Sequence, residues 1–228
     1  AEMKTAGSTR DVHIVAEFDS MSDHGARRYY LRRDTRLEED VVAYLPEVNT
    51  GDEAVLDSFL TWACERYPAE HYALVLWNHG TGWKDDDIYR SLLSQGYDPT
   101  RLTRGQVRSL TSGSTSRALF RSTVEKVAEE ALLKGRAILF DDTAADFLDS
   151  VEMKQVLDRA AERIGKRIDL LGCDACFMSM IEVAYQVKSS SRYLVGSQEE
   201  EPGDGWPYDG ILRRLVANPS MSPDLLAS

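Results

Sequence analysis

The sequence predicts an α/β fold built on a largely parallel sheet. Four short apolar segments, each suited to a buried strand, alternate with segments whose apolar residues recur at helical spacing. This alternation is typical of a parallel sheet covered by helices. The 228 residues suffice for one large domain of this kind, and we expect residues 1–228 to form a single domain.

The predicted strands end in residues that carry chemistry. DVHIVAEFDS (11–20) reads as a buried strand, and the charged, aromatic ARRYYLRRD (26–34) suits an edge strand or hairpin arm. The four apolar strands are YALVLWNHG (72–80), GRAILFDD (135–142), RIDLLGCDAC (167–176) and RYLVGSQE (192–199). Because ligands bind beyond the carboxyl ends of strands in open α/β sheets, we expect the functional site at these ends.

Helices are predicted between the strands. Asn49 to Asp52 offer an N-terminal cap, and Tyr67-Pro68 ends the helix that begins there. Apolar residues repeat at helical spacing between those limits: Val55, Leu56, Phe59, Leu60 and Ala63. Further helical patterns cover about 121–134, 150–164 and 178–190.

Residues 84–120 interrupt this pattern. The segment is rich in Gly, Ser, Thr and Arg, and its periodicity is weak. A loop of this length is uncommon in a compact domain unless it is functional or mobile. We predict a mobile, arginine-rich insertion, with a merely solvated insertion as the alternative.

Composition excludes several classes of protein. A net charge of −11 argues against a nucleic-acid partner, whose binding surface is usually basic. No apolar run approaches the roughly 18 residues of a membrane span, so no membrane partner is expected. Three cysteines are too few for a disulfide framework, which favours a cytoplasmic over a secreted location.

His79 and Cys176 are the candidate reactive pair. They stand at the ends of two different predicted strands, and adjacent strands would bring them together. A free thiol is only a few per cent thiolate at neutral pH, so a neighbouring imidazole would activate it. Gly80 would let a backbone N–H approach a substrate oxygen. A lone histidine is, however, more often structural than catalytic.

The spacing of Cys173 and Cys176 leaves other chemistry open. One C-x-x-C, with no second pair and no H-E-x-x-H, argues against a zinc site. A dithiol redox site remains open on spacing alone, although redox pairs usually enclose Pro or Gly and this pair encloses Asp174-Ala175.

Several segments resemble the clostripain family of cysteine peptidases. They are EVNTGDEAVLDSFLTWACERYPAEHYALVLWNHGTGW, AILFDDTAADFLDSVEM, IDLLGCDACFMSMIEVAYQ and YLVGSQEEEPGDGWPYDGIL. They occur in the family's order and cover well over half of the chain. The resemblance implies a caspase-like α/β/α sandwich and a cysteine endopeptidase, an enzyme that needs no cofactor for its chemistry.

The resemblance also implies roles for individual residues. His79 is the catalytic histidine and Cys176 the nucleophile, with the N–H groups of Gly80 and Cys176 as the oxyanion hole. Family members cut protein or peptide substrates after Arg or Lys and hold the P1 cation with acidic side chains, here Asp174 and Asp204. Asp204 is flanked by glycines, so an ordinary turn residue is its alternative interpretation. The implied pocket walls are Ser197, Gln198 and Trp206.

Family members are commonly made as precursors that are cut at a basic residue between the His and Cys strands. The segment there carries Arg90, Arg101, Arg104, Arg108, Arg117 and Arg121. Self-cleavage or an activating protease is therefore expected, and a latent component of a proteolytic cascade is a second hypothesis. Some relatives depend on calcium, for which Asp85–Asp87 and Asp141–Asp142 are the candidates.

The chain also departs from the family pattern. The family begins with another strand and helix before the strand at 11–20, so we expect truncation at the N-terminus. The position of Cys173 more often holds an aromatic or small apolar residue, which predicts that Cys173 packs in the core. The third hypothesis, a dithiol redox or binding domain, needs both cysteines.

Overall fold

The computed structural model describes residues 2–20, 25–78, 80–82, 137–141, 146–202 and 205–228. Within these ranges the strands are β1 (Val15–Ser20), β2 (Gly25–Tyr30), β3 (Val41–Tyr44), β4 (Ala73–Trp77), β5 (Gly80–Gly82), β6 (Ala137–Asp141), β7 (Asp146–Asp149), β8 (Ile168–Asp174) and β9 (Ser191–Gly196). The α-helices are α1 (Glu53–Arg66), α2 (Ser150–Ile164), α3 (Ile181–Val187), α4 (Tyr208–Ala217) and α5 (Pro223–Leu226). Two short 3-10 helices cover Glu2–Thr5 and Leu37–Asp40.

The parallel sheet has the order β4-β8-β9, with both strand pairs parallel. Every residue of the central strand β8 is buried, as expected of a central parallel strand, and this includes Asp169 and Asp174. The register pairs Trp77 of β4 with Asp174 of β8, and Cys173 with Gly196 of β9. The predicted α/β fold with a parallel sheet is therefore confirmed.

One face of this sheet forms the main core. Leu74 and Leu76 of β4 lie in register with Leu171 and Cys173 of β8, and residues paired in this way share a face. They belong to a single buried cluster with residues of α1 and α2. The buried residues of α2 recur at helical spacing, as the sequence predicts: Met153, Val156, Leu157 and Ala160.

Helix α1 begins and ends where its sequence signals lie. The carboxylate of Asp52 caps the first turn by accepting a hydrogen bond from the Ala54 N–H at 2.8 Å. Tyr67, which precedes Pro68, closes the helix. Arg159 of α2 then joins the two helices through Glu53 at 3.2 Å and Asp57 at 3.3 Å.

A second sheet, antiparallel and ordered β1-β2-β3, lies between α1 and α4. Residues 26–34 were expected as an edge strand or hairpin arm; β2 is a hairpin arm but occupies the middle of this sheet. A central strand holds the charged Arg28 because its guanidinium meets Glu17 at 2.7 Å and Ser58 of α1 at 2.9 Å. On the opposite face, Tyr29 packs in a cluster that includes Leu212 of α4.

A third sheet has the order β5-β6-β7 and is antiparallel throughout. The apolar segment at 135–142 was predicted to be a strand of the parallel sheet, and this assignment is wrong. Only residues 142–145 separate β6 from β7, and parallel neighbours need a crossover of a dozen residues or more. The short connection therefore requires a hairpin.

Other predicted boundaries differ by a few residues. The helix expected at 178–190 is α3, Ile181–Val187. The strand expected to be buried at 11–20 begins only at Val15, and none of its residues is buried. The helix predicted at 121–134 and the insertion at 84–120 lie outside the described residues. Among the helices that the structure describes, none has the length and apolar character needed to cross a membrane.

The buried carboxylate of Asp40 anchors the N-terminal segment. It accepts hydrogen bonds from the Lys4 ammonium, the Arg32 backbone N–H at 3.0 Å and the Thr35 hydroxyl at 2.8 Å. Burial opposes ionisation, but these donors outweigh it and lower the pKa of Asp40 from 3.8 to about 2. The resulting stabilisation is fully present above about pH 4 and is lost as the pH falls through 2.

We predict that Asp40→Asn lowers the free energy of unfolding at pH 7 by about 2–4 kcal/mol, because the Lys4 and Arg32 cations lose their buried counter-charge. The gap between variant and parent should narrow between pH 4 and pH 2. Urea unfolding across this range measures it. Asp34→Asn, a change of an exposed carboxylate, is the matched control and should shift stability by less than about 0.5 kcal/mol. Equal losses in both variants would contradict the assignment.

Candidate active site

The carboxyl ends of β4 and β8 bring two predicted site segments together. The Asn78 N–H donates to the Asp174 carbonyl at 3.4 Å, which extends the pairing beyond Trp77. Gly80 then packs against the turn that carries Cys176: a Cβ at Gly80 would lie 2.6 Å from the Cys176 carbonyl oxygen. Only glycine fits this approach. His79 itself lies outside the described residues.

Cys176 lies on a turn rather than on a strand. The strand predicted to reach residue 176 ends at Asp174, because the chain turns away from the sheet there. Two backbone hydrogen bonds tie this turn to the segment after β9: Phe177 N–H to the Glu199 carbonyl at 3.0 Å, and Ser179 N–H to the Ser197 carbonyl at 2.8 Å. Cys176 is therefore held at the sheet edge while its side chain stays partly exposed.

The backbone of Phe177 adopts φ +62°, in the left-handed region. A bulky residue rarely occupies this region, and the strain costs on the order of 1–3 kcal/mol. The conformation reverses the chain immediately after Cys176. The two hydrogen bonds to the segment after β9 hold it in place.

The sulfur of Cys176 accepts a hydrogen bond from the backbone N–H of Glu201 at 3.3 Å. A donor aimed at sulfur restricts the orientations open to the Cys176 side chain. This contact links the Cys176 sulfur to the segment after β9.

Cys173 occupies a different environment. Its side chain has 0% of its surface exposed and lies among the main-core residues. Burial raises the pKa of the Cys173 thiol to about 12. All three cysteines are free thiols. Cys173 thus has the inert surroundings of a packing residue, as its sequence position predicts, and a reactive dithiol with Cys176 is disfavoured.

Asp174 points to the sheet face opposite Cys173, because side chains alternate along a strand. The residue is only 3% exposed. Oxygen Oδ2 accepts hydrogen bonds from the Trp206 backbone N–H at 3.0 Å and the Tyr208 hydroxyl at 2.7 Å. Burial and this bond to Asp174 raise the pKa of Tyr208, so the hydroxyl remains a donor at neutral pH. Asp174 therefore anchors the 205–208 segment to β8.

Two glycines make room for that segment. A Cβ at Gly172 would lie 2.9 Å from Cζ3 of the Trp206 ring, so the indole rests directly on β8. Gly205, with φ +69°, has space for no Cβ because it would meet Asp174 Oδ2 at 2.7 Å and Trp77 Nε1 at 3.0 Å. The Trp77 side chain is 53% exposed beside this contact. An aromatic surface thus borders the buried carboxylate.

The remaining predicted wall residues lie on the segment after β9. Ser197 is partly buried, and its hydroxyl accepts a hydrogen bond from the Glu199 N–H at 3.0 Å. Gln198 is exposed. The structure therefore gathers Gly80, Cys176, Asp174, Ser197 and Trp206 at one edge of the sheet. Outside the described residues lie Asp204 and the predicted processing positions Arg90, Arg101, Arg104, Arg108, Arg117 and Arg121.

Sequence reasoning missed the parts of Glu201 and Tyr208. The Glu201 carboxylate accepts a hydrogen bond from Trp206 Nε1 at 3.1 Å, and Tyr208 donates to Asp174. The sequence signal that could have found them is the segment EEEPGDGWPY (199–208), which contains Glu201 and ends in Tyr208. Neither contact can be deduced from spacing alone, because each joins side chains across a turn.

A metal site finds no support among the described residues, where no group of three or more His, Cys, Asp or Glu side chains is arranged to hold a metal ion. Of the residues proposed for calcium, Asp85–Asp87 and Asp142 lie outside the described residues, and Asp141 is described only as the last residue of β6. Calcium dependence stays a prediction.

The chain is similar to known cysteine proteases. It is 27% identical over 179 residues to clostripain of Hathewaya histolytica, an alignment that covers 75% of this chain and 26% of that protein. Among solved structures, it matches a secreted C11 cysteine protease from Bacteroides thetaiotaomicron in complex with an irreversible peptide inhibitor. The TM-score is 0.62 and the identity 22%, and the match covers 99% of this chain and 50% of that one.

A further match is an inactive zymogen C11 protease from Parabacteroides distasonis, with a TM-score of 0.56 and 19% identity over 94% of this chain and 46% of that one. These structural matches show the same fold. The chain spans about half the length of these solved structures and about a quarter of the curated clostripain.

The family model agrees with the site geometry. The model of the clostripain family matches residues 1–116 and 125–227, which include the Gly80 segment and the Cys176 turn. On this match, the chain belongs to the clostripain family of cysteine peptidases.

Proposed function

We propose that this protein is a cysteine endopeptidase that cleaves after arginine or lysine, with Cys176 as nucleophile and His79 as general acid and base. The observation that carries the proposal is the Cys176 turn at the carboxyl edge of a parallel sheet, with Gly80 packed on its carbonyl oxygen. Membership of the clostripain family supports the same chemistry.

The reaction is an acyl transfer in two steps. The Cys176 thiolate attacks the carbonyl carbon after the P1 residue, and a tetrahedral oxyanion forms. The C–N bond breaks as the His79 imidazolium protonates the leaving amine, which leaves a thioester on Cys176. His79 then takes a proton from water, whose oxygen attacks the thioester and releases the carboxylate product and the thiol.

The oxyanion would be held by the backbone N–H groups of Gly80 and Cys176. A donor placed where charge develops contributes a factor of about 100–1,000 to the rate. The close approach of Gly80 to the Cys176 turn supports this role, since a side chain at Gly80 would separate the two segments.

The P1 cation would be bound by Asp174 and Asp204, with Ser197, Gln198 and Trp206 as pocket walls. Asp174 Oδ2 already accepts two hydrogen bonds, so we assign it the role of a buried negative charge behind the pocket. Asp204 then makes the direct contact, which for Arg would be charge-assisted and bidentate. The half-exposed Trp77 indole borders the same space.

A second candidate is a latent form that needs an activating protease. One solved relative is described as an inactive zymogen, and the arginine-rich segment stands between the His79 and Cys176 strands. In this form the intact chain is silent until a bond after one of these arginines is cut.

The first test is turnover of fluorogenic peptides that differ only at P1. We predict that Arg is cleaved best, Lys next and Asp not at all, by the intact chain or after nicking. Cys176→Ala should abolish turnover, whereas Cys173→Ser should retain it because Cys173 serves packing. Loss of activity in Cys173→Ser with an unchanged thermal midpoint would instead indicate a dithiol site.

The same peptides test the acidic residues. Asp204→Asn should reduce kcat/KM for P1 Arg by about 10–100-fold, the value of a charge-assisted hydrogen bond. The variant should leave kcat/KM unchanged for a peptide with P1 citrulline, the uncharged analogue of arginine. Absence of P1 Arg turnover in every form, nicked or intact, would overturn the proposed function.

A second test concerns the oxyanion hole. Gly80→Ala should lower kcat/KM by more than about 100-fold, because the new Cβ would meet the Cys176 carbonyl and displace the N–H donor. Gly210→Ala is the matched control: its Cβ meets nothing within 4 Å, and the position lies in α4. Unchanged kcat/KM in Gly80→Ala would remove Gly80 from the mechanism.

A third test concerns processing. Intact-mass measurement of the purified protein should show two fragments produced by a cut after one of the arginines between 84 and 121, whereas Cys176→Ala should stay at 25.6 kDa. If the parent also stays intact and gains activity only after nicking by an added arginine-specific protease, the latent form is correct. An intact and fully active parent would contradict both forms of processing.

A further inference from the structure

A closed set of polar contacts links Asp174 back to Cys176, two residues further along the chain. The Asp174 carboxylate accepts from the Trp206 backbone N–H at 3.0 Å. The Trp206 indole N–H donates to Glu201 Oε1 at 3.1 Å, and the Glu201 backbone N–H donates to Cys176 Sγ at 3.3 Å. The three hydrogen bonds connect Asp174 to Trp206, Trp206 to Glu201, and Glu201 to Cys176. Each uses a different donor group.

Trp206 is fixed at both ends of this set. Its backbone is bound to the buried Asp174, and its ring rests on β8 at Gly172. An indole held in this way is a rigid donor, because neither its backbone nor its ring plane is free to turn. The indole, which rests on β8, therefore holds the Glu201 carboxylate in a defined position.

The contact with the Trp206 indole is one of several restraints around Glu201. It lies in the irregular segment between β9 and α4, where the backbone is bound to the Cys176 turn through Glu199 and to Gly205 through Pro202. Its own N–H is directed at sulfur, a weak acceptor that positions a backbone poorly by itself. The side-chain bond to Trp206 adds a restraint on Glu201 itself.

We propose that Glu201 is a positioning residue for the nucleophile: its carboxylate, held by the Trp206 indole, places its backbone N–H on Cys176 Sγ. This inference rests on the proposed function, in which that sulfur attacks the substrate. The inference adds that the segment lining the cation pocket also positions the nucleophile, because Asp174 and Trp206 belong both to the pocket and to the contacts that reach Cys176. Binding a P1 cation and aligning the thiolate are then coupled through one indole.

A direct role of Glu201 in binding the substrate cation is the competing explanation. The two roles differ in their response to glutamine. Glu201→Gln keeps the oxygen that accepts from the indole but removes the charge. Turnover of P1 Arg peptides tolerates this change if Glu201 only positions the sulfur, and it falls if Glu201 binds the cation. Alkylation of Cys176 slows in Glu201→Ala only if Glu201 positions the sulfur.

The experiment measures the alkylation rate of Cys176 by iodoacetamide at pH 7, read by mass on the Cys176 peptide of the whole chain. The reagent is small and uncharged, so it reports the sulfur and not the cation pocket. We expect Glu201→Ala and Trp206→Phe each to slow alkylation about fivefold, the value of one hydrogen bond. Glu201→Gln should stay within about twofold of the parent. Glu200→Ala, an exposed neighbour, is the control and should have no effect.

The double variant Glu201→Ala with Trp206→Phe should be no slower than either single variant, because both changes remove the same bond. Additive losses, or parental rates in both single variants, would overturn the proposal. If Glu201→Ala lowers the thermal midpoint severely, Trp206→Phe still decides the question. The proposed function is tested separately. If it is wrong, the parent does not cleave the peptides, while the differences in alkylation rate among the variants remain.

Discussion

The in-register pairing of β4 with β8 is the constraint on which the site depends. It sets Trp77 opposite Asp174, and therefore brings the segments after the two strands side by side: Asn78 to Gly80 after β4, and the Cys176 turn after β8. A slip of one residue would exchange the two faces of β8 and move Cys173 from the core to the pocket side. The burial of Leu74, Leu76 and Leu171 on one face opposes such a slip.

The second constraint is the buried carboxylate of Asp174. Left without partners, a charge with 3% exposure would destabilise the fold by several kcal/mol. Two donors, the Trp206 N–H and the Tyr208 hydroxyl, satisfy it. Because Tyr208 opens α4, and α4 packs on the β1–β3 sheet through residues such as Leu212, the Tyr208 hydroxyl bond links the pocket to the N-terminal sheet.

The sequence predicted the features that arise from local patterns and missed those that arise from distant partners. The apolar run of β8, the cap at Asp52 and the spacing within α2 are local, and each was found where expected. The central place of β2 was not predicted, because the partners that make Arg28 tolerable there, Glu17 and Ser58, come from other elements. The contacts of Glu201 and Tyr208 were missed for the same reason.

Phe177 places stability and function in conflict. Its φ of +62° is a conformation that glycine would adopt without strain. Selection for thermal stability alone would therefore draw this position toward glycine. Glycine, however, would also widen the range of conformations open to the Cys176 turn. Engineering that selects only for a higher melting temperature would then yield more stable variants in which the Cys176 thiol is less well ordered. Residue 177 should therefore be left unchanged in such a library.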